Sequence, residues 1–258
     1  MNHLEFLKPN PVLAPFVEVI WYWETNATDS QPDRVLPHGA FELVISLSNP
    51  EHESLISGPQ TRPMIVDPGS VSPIIGAHFR PGGVSALFRQ DASAFRNIDV
   101  PLADVCRRRT QAIISGLSGR SGPQAYLTAL EESLTRFALD APAPHPAVSL
   151  AIQDFHREQP ANRIQDLVLE SGVSQRRFIE LFTDRIGLTP KLYARIQRFQ
   201  RTVHKAAGHG PVDWSALAFE LGYSDQAHLI RDFREFSNLR PSEYTPRSSD
   251  QANHVPVS

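Results

Sequence analysis

The sequence predicts an α+β protein of two domains: a mostly β N-terminal domain, built as a small barrel or sandwich with flanking helices, and an all-α C-terminal domain carrying two helix-turn-helix units. Three observations support this. The first part of the chain alternates short apolar runs with proline-marked turns. The last part repeats itself: Phe182, Leu188, Pro190 and Tyr193 recur as Phe233, Leu239, Pro241 and Tyr244, each pair 51 residues apart. Between them LDAPAPHPA holds three prolines and no helix-compatible interior. The linker is therefore set at 141–146, between a domain over 1–140 and a second over 147–247, with 248–258 expected as a disordered tail.

Residues 11–25, PVLAPFVEVIWYWET, read as a turn and then a buried strand. Side chains alternate on a strand, so Trp21 and Trp23 share one face and Tyr22 takes the other. The aromatics suit core packing or the lining of a ligand cavity. In RVLPHGAFELVISLSN, Phe41, Leu43, Ile45 and Leu47 alternate with Glu42, Val44, Ser46 and Ser48, giving a half-buried strand after a Pro37-His38-Gly39 turn. SGPQTRP is a polar turn, PIIGAHFRPGG a further strand and GGVSALFRQ a short helix. His38 is expected to be an exposed hydrogen-bonding residue; His78 suits either a core position or a ligand contact. Metal-dependent cupins need a close His-x-His pair with a glutamate, and no His-x-His occurs, so no metal and no cofactor are expected.

Residues 101–138 carry two helix-period segments separated by SGRSG. In the second, Leu127, Leu130, Leu134 and Phe137 fall on one stripe, which packs on its own domain or pairs two subunits. Arg107, Arg108 and Arg109 read as a solvated face. A helix over 147–158 opens the C-terminal half, and Asn162 can cap the next.

The first unit runs from Ile164 through the Glu170–Val173 turn into a helix over 174–185, with Phe178, Leu181 and Phe182 buried. Its opposite face offers Gln175, Arg176, Ile179 and Glu180. In the second unit Gly222 ends the first helix and Ser224 or Asp225 caps the second, whose matching face holds Gln226, Ala227, Ile230 and Arg231. Arginine reads guanine, glutamine adenine and aliphatic groups the thymine methyl, so these eight are the candidate base readers. Ser174, Lys191, Arg195, Arg198, Ser224 and Arg234 are the candidate phosphate contacts. PKLYARIQRFQRTVHKA joins the units as one helix. Leu192, Ile196, Phe199 and Val203 form its buried stripe, and Lys191, Arg195, Arg198 and Lys205 a basic one, placed for phosphates or for acids of the neighbouring unit. A rigid connector would hold the reading helices about 34 Å apart on one side of DNA.

Charge follows this division. Residues 1–146 hold 11 Lys or Arg against 15 Asp or Glu, a net of −4, and 147–247 hold 14 against 12, a net of +2. A single cysteine, Cys106, excludes an internal disulfide and suits a reducing cytoplasm. The N-terminus lacks a signal-peptide pattern, and no apolar run is long enough to span a membrane.

LGYSDQAHLIRDFREF followed by LRPSEY resembles the second helix-turn-helix of AraC/XylS-type transcription regulators. RVLPHGAFELVISL, SGPQTRP and GAHFRPGG resemble the cupin-like N-terminal sensor of one AraC-type subgroup. The resemblance implies a one-component regulator with double-stranded DNA, RNA polymerase and a small-molecule effector as partners, subunit pairing through helices near residue 130, and no catalysis. Trp21, Trp23, His38, Glu42 and His78 are the effector-contact candidates. Two departures fall in the first unit: Glu180 stands where many relatives carry arginine, and Val168 where many carry alanine. A cupin-like metal enzyme tethered to DNA, and a regulator acting through protein contacts alone, are the alternatives.

Overall fold

The computed structural model describes residues 3–25, 32–66, 73–157, 163–208 and 212–257. Its N-terminal strands are β1 (His3–Leu7), β2 (Val17–Glu24), β3 (Asp33–Val35), β4 (Glu42–Ser46), β5 (Leu55–Ser57), β6 (Met64–Val66), β7 (Ile74–Phe79) and β8 (Asp99–Pro101). Six form an antiparallel sheet in the order β1-β2-β7-β4-β5-β8. Alternation decides its faces. Ile20, Tyr22, Leu43, Ile45, Ile75, Ala77 and Phe79 are buried in one core with α1 (Gly83–Phe88), α2 (Leu102–Leu117) and α3 (Pro123–Leu139). Leu127, Leu130 and Leu134 of α3 are fully buried in that core, and Phe137 meets Phe88 edge-on, so the stripe packs on its own domain. Of the arginine triple, Arg107 and Arg108 are exposed, while Arg109 lies over the Phe137 ring at 4.9 Å.

The C-terminal helices are α4 (Pro146–Phe155), α5 (Ile164–Ser171), α6 (Gln175–Ile186), α7 (Pro190–Ala206), α8 (Trp214–Glu220) and α9 (Gln226–Ser237). Asn162 lies outside the described residues; the Asp166 carboxylate accepts from the Arg163 N–H at the start of α5. The repeat is geometric as well as sequential. Phe182 meets Tyr193 at 5.6 Å and 67°, and Phe233 meets Tyr244 at 5.6 Å and 77°. Helices α6 and α9 both end in the left-handed region, at Gly187 (φ 86°) and Asn238 (φ 57°), the two residue types that tolerate it best.

The expectation of a disordered tail over 248–258 is corrected. Residues His254–Pro256 form β9, which pairs antiparallel with β3 in a second sheet of order β6-β3-β9. Arg247 donates to Asp33 Oδ1 at 2.6 Å, and the Tyr244 hydroxyl donates to the Ala252 carbonyl. Val255, Ala252 and Leu36 are buried in the C-terminal core. A polar tail escapes sequence patterning because its stability comes from a strand more than two hundred residues away. Deleting 248–258 uncovers Leu36, strips β9 from the edge of β3 and takes His254 from Asp33. The expected loss is on the order of 3 kcal/mol, read as a lower urea midpoint; an unchanged midpoint would return the tail to a passive role.

Candidate nucleic-acid interface and the polar cluster behind it

Each reading helix is positioned by its cap and its buried face. The Ser174 hydroxyl accepts from Arg177 N–H at 3.3 Å, and Asp225 Oδ1 from His228 N–H at 2.6 Å, so of the two capping candidates in the second unit Asp225 serves. Phe178, Leu181, Phe182 and Ile186 bury one side of α6, and Leu229, Phe233 and Phe236 one side of α9. Gln175, Arg176 and Ile179 stand exposed on α6, with Glu180 partly so; Gln226, Ala227 and Arg231 are exposed on α9, with Ile230 partly covered. All eight candidate readers therefore lie away from the core.

The two faces differ in what their charges do. Arg176 Nε donates to Glu180 Oε1 at 2.8 Å, and Arg177 lies 3.7 Å from the other oxygen. The hydrogen bond from Arg176 holds the Glu180 carboxyl below its ordinary range. Neither the Arg231 nor the Arg234 side chain has a hydrogen bond or ion pair among the described residues, so the positive charge of the second face is not neutralised by a direct partner. The Asp225 carboxyl is held low first by the His228 N–H it accepts from, and Arg231 helps to hold it there.

Of the two uses open to the connector's basic stripe, phosphates or acids of the neighbouring unit, Arg195 and Arg198 take the second. Arg195 and Arg198 do not face outward; both turn onto Asp232 of α9, at 2.7 and 3.0 Å. Arg195 also holds Glu235 at 2.6 Å and lies over Phe236, while Arg198 lies 4.1 Å over Tyr223 and donates to the Gly222 carbonyl. Asp232 is 3% exposed and occupies the repeat position that Leu181 fills with an apolar group in the first unit. An acid buried there needs the arginines, and the arginines are thereby committed. Sequence reading missed Asp232 because one acid among the charges of RDFRE resembles any solvated position. Lys205 pairs with Glu220, whereas Lys191 stays exposed at the start of α7.

The effector candidates lie on the open face of the large sheet. Antiparallel register places Glu42 of β4 directly opposite His78 of β7, and the His78 Nδ1–H donates to Glu42 Oε1. His38, four residues before Glu42, brings its ring to 4.9 Å from that of His78. Trp21 reaches the same point from β2, donating to Glu42 Oε2 at 3.4 Å. Its indole passes so close to Gly76 that a Cβ there would fall 2.3 Å from the ring and 2.4 Å from the Leu43 carbonyl, so only glycine admits this crossing. Trp23 shares the face with Trp21 but has no described contact with the cluster. His38 is largely buried, correcting the expectation of an exposed turn residue; burial and the neighbouring His78 push its pKa down to about 4. Burial opposes charge on His78 as well, but Glu42 beside it raises the pKa.

This cluster is tied to the connector. Gln197 and Gln200 of α7 donate to the carbonyls of His38 and Pro37, at 3.0 and 2.8 Å. Gly39, next in the loop, adopts a left-handed φ of 77° facing α7, where a Cβ would come to 3.4 Å from Ile196 and Tyr193. The turn that carries His38 is thus gripped by the helix that spaces the two reading heads.

A family model described as a helix-turn-helix domain matches residues 167–247, and one described as a domain of unknown function (DUF6597) matches residues 5–101. Over 121 residues the chain is 28% identical to an uncharacterized HTH-type transcriptional regulator of Haemophilus influenzae, covering 47% of this chain and only 36% of that relative's length. Two solved structures of similar extent are ToxT from Vibrio cholerae O395 (9% identity, 95% of this chain and 96% of that chain, TM-score 0.41) and unsaturated fatty acid bound wild-type ToxT from Vibrio cholerae strain SCE256 (10%, 95% and 94%, TM-score 0.35). Both TM-scores fall below 0.5, so neither likeness bears on the chemistry of this chain.

Proposed function

We propose that this chain is an AraC-type helix-turn-helix transcription regulator working as a one-component switch, residues 147–247 reading DNA and residues 1–140 sensing a small molecule; the helix-turn-helix family model over residues 167–247 supports the first half of this reading. The observation that carries the DNA half is the pair of capped helices, α6 and α9, each with an apolar inner side and a polar outer side. We assign base reading to Gln226, Ala227, Ile230 and Arg231 in the second unit, and to Gln175, Arg176 and Ile179 in the first, where Glu180 weakens the approach. Phosphate contacts fall to Lys191 and Arg234, with Ser174 and Ser224 at the helix starts. Such a regulator needs no catalytic chemistry.

The sensor reading rests on placement. Trp21, His38, Glu42 and His78 converge on a half-open face, and their loop touches α7. A ligand there would shift the balance between two settings of the connector. RNA polymerase is the protein partner we assign, and the exposed Leu169 and Phe219, at matching positions on the first helices of the two units, offer it apolar contact. The single Cys106 suits a cytoplasmic setting, and no described helix is long and apolar enough to cross a membrane.

The test is selection of binding sites from random-sequence DNA with the full chain, followed by titration on the selected site and on its scrambled form. Equal affinity for both would overturn the reading. On the selected site, Lys191→Ala should lower the slope of log affinity against log salt by about 0.9, as for one lost phosphate contact. Arg195→Ala should leave that slope unchanged and lower stability instead; the reverse pattern would restore Arg195 to the DNA.

A further inference from the structure

We propose that His38, Glu42 and His78 bind one divalent first-row transition ion, with zinc the best suited. One ligand atom from each residue lies within 4.8 Å of the other two. Two imidazoles and a carboxylate form the N/O donor set that such ions prefer over calcium or magnesium, which favour all-oxygen surroundings. Around a tetrahedral zinc the donor atoms stand about 3.3 Å apart, so the site closes by a shift of roughly 1 Å. The spacing rule that argued against a metal looked for His-x-His along one strand. Here the register between β4 and β7 supplies the second histidine from across the sheet.

The surroundings match those of a ligand set. Trp21 donates to the second oxygen of Glu42, fixing the carboxylate's orientation. Glu18 Oε2 stands 3.9 Å from His78 Nε2, on the far side of the ring from Glu42, where a carboxylate can take the remaining N–H of a metal-bound histidine. No lysine or arginine pairs with Glu42 among the described residues. Its negative charge faces only imidazole and indole groups, so a cation completes the cluster.

Binding also has a structural consequence. His38 Nδ1 accepts the Ala40 N–H at 3.2 Å, so the neutral ring carries its proton on Nε2, the nitrogen 4.0 Å from Glu42. Coordination through Nε2 moves that proton to Nδ1 and breaks the Ala40 hydrogen bond. The loop that must then adjust carries the Pro37 and His38 carbonyls held by α7. The ion would therefore act on the contact between sheet and connector.

The test uses the full chain, stripped with a chelator and titrated with cobalt or zinc chloride in the absence of DNA, so that it stands apart from the DNA-binding reading. The expected result is one ion per chain, with cobalt giving the visible d–d absorption of N/O coordination and quenching tryptophan emission through Trp21. Glu42→Gln and His78→Ala should each weaken binding more than tenfold, and Trp21→Phe about tenfold as an outer partner. His3→Ala, at an exposed histidine beside Glu5, should change nothing. Circular dichroism of each ion-free variant checks folding; should His78→Ala fail to fold, the near-isosteric Glu42→Gln decides. Failure to bind either ion, or cobalt binding that survives Glu42→Gln, overturns the proposal.

Discussion

Replacing Asp232 by alanine should lower the unfolding free energy by about 3–5 kcal/mol, a large share of the stability of an ordinary domain. The size comes from burial. Asp232 is almost fully enclosed, and two guanidinium groups, Arg195 and Arg198, converge on its two oxygens. Among the described residues, removing it leaves Arg195 with the exposed Glu235 alone and Arg198 with no carboxylate, only the Gly222 carbonyl, His228 and the Tyr223 ring. Asp232→Asn should show the same sign, because the amide keeps the volume but not the charge. Replacing Asp232 by leucine together with Arg195 and Arg198 by methionine should recover much of the loss, since an apolar position is what Leu181 already provides in the first unit. Urea titration of the four proteins measures this. A loss under about 1 kcal/mol for Asp232→Ala would mean that the arginines are held elsewhere and that the connector is not clamped by charge.

The second large effect concerns reading rather than folding. Arg231→Ala should cost about 1–3 kcal/mol of specific binding and relax preference at one base pair, because an exposed arginine can make two hydrogen bonds to a guanine edge. Glu180→Ala should cost little. Its carboxylate is occupied by Arg176, and its removal frees that arginine while taking a negative charge from the DNA side. Titrations on the selected site and on scrambled DNA at fixed salt separate the two variants. Equal loss of specificity would make the first unit as strong a reader as the second.

The sequence by itself determined the features set by local period. The division into strands and helices, the two copies of one helix-turn-helix and the buried aromatics Phe182 and Phe233 all come from apolar spacing within a few turns. Faces were legible for the same reason: the α3 leucines and the eight reader positions each share a stripe. What only the tertiary structure decided depends on which distant elements meet. A basic stripe on α7 reads alike whether it faces phosphate or acid, and the packing of α9 against α7 turned it to Asp232. His38 and His78 are far apart along the chain, and the pairing of β4 with β7 joined them through Glu42. Residues 254–256 carry too few apolar groups to announce a strand, and β3 supplied the partner. Periodicity records how one segment divides between core and water; it holds no record of strand register or of the charge waiting across an interface, and those two quantities placed the clamp, the cluster and the tail.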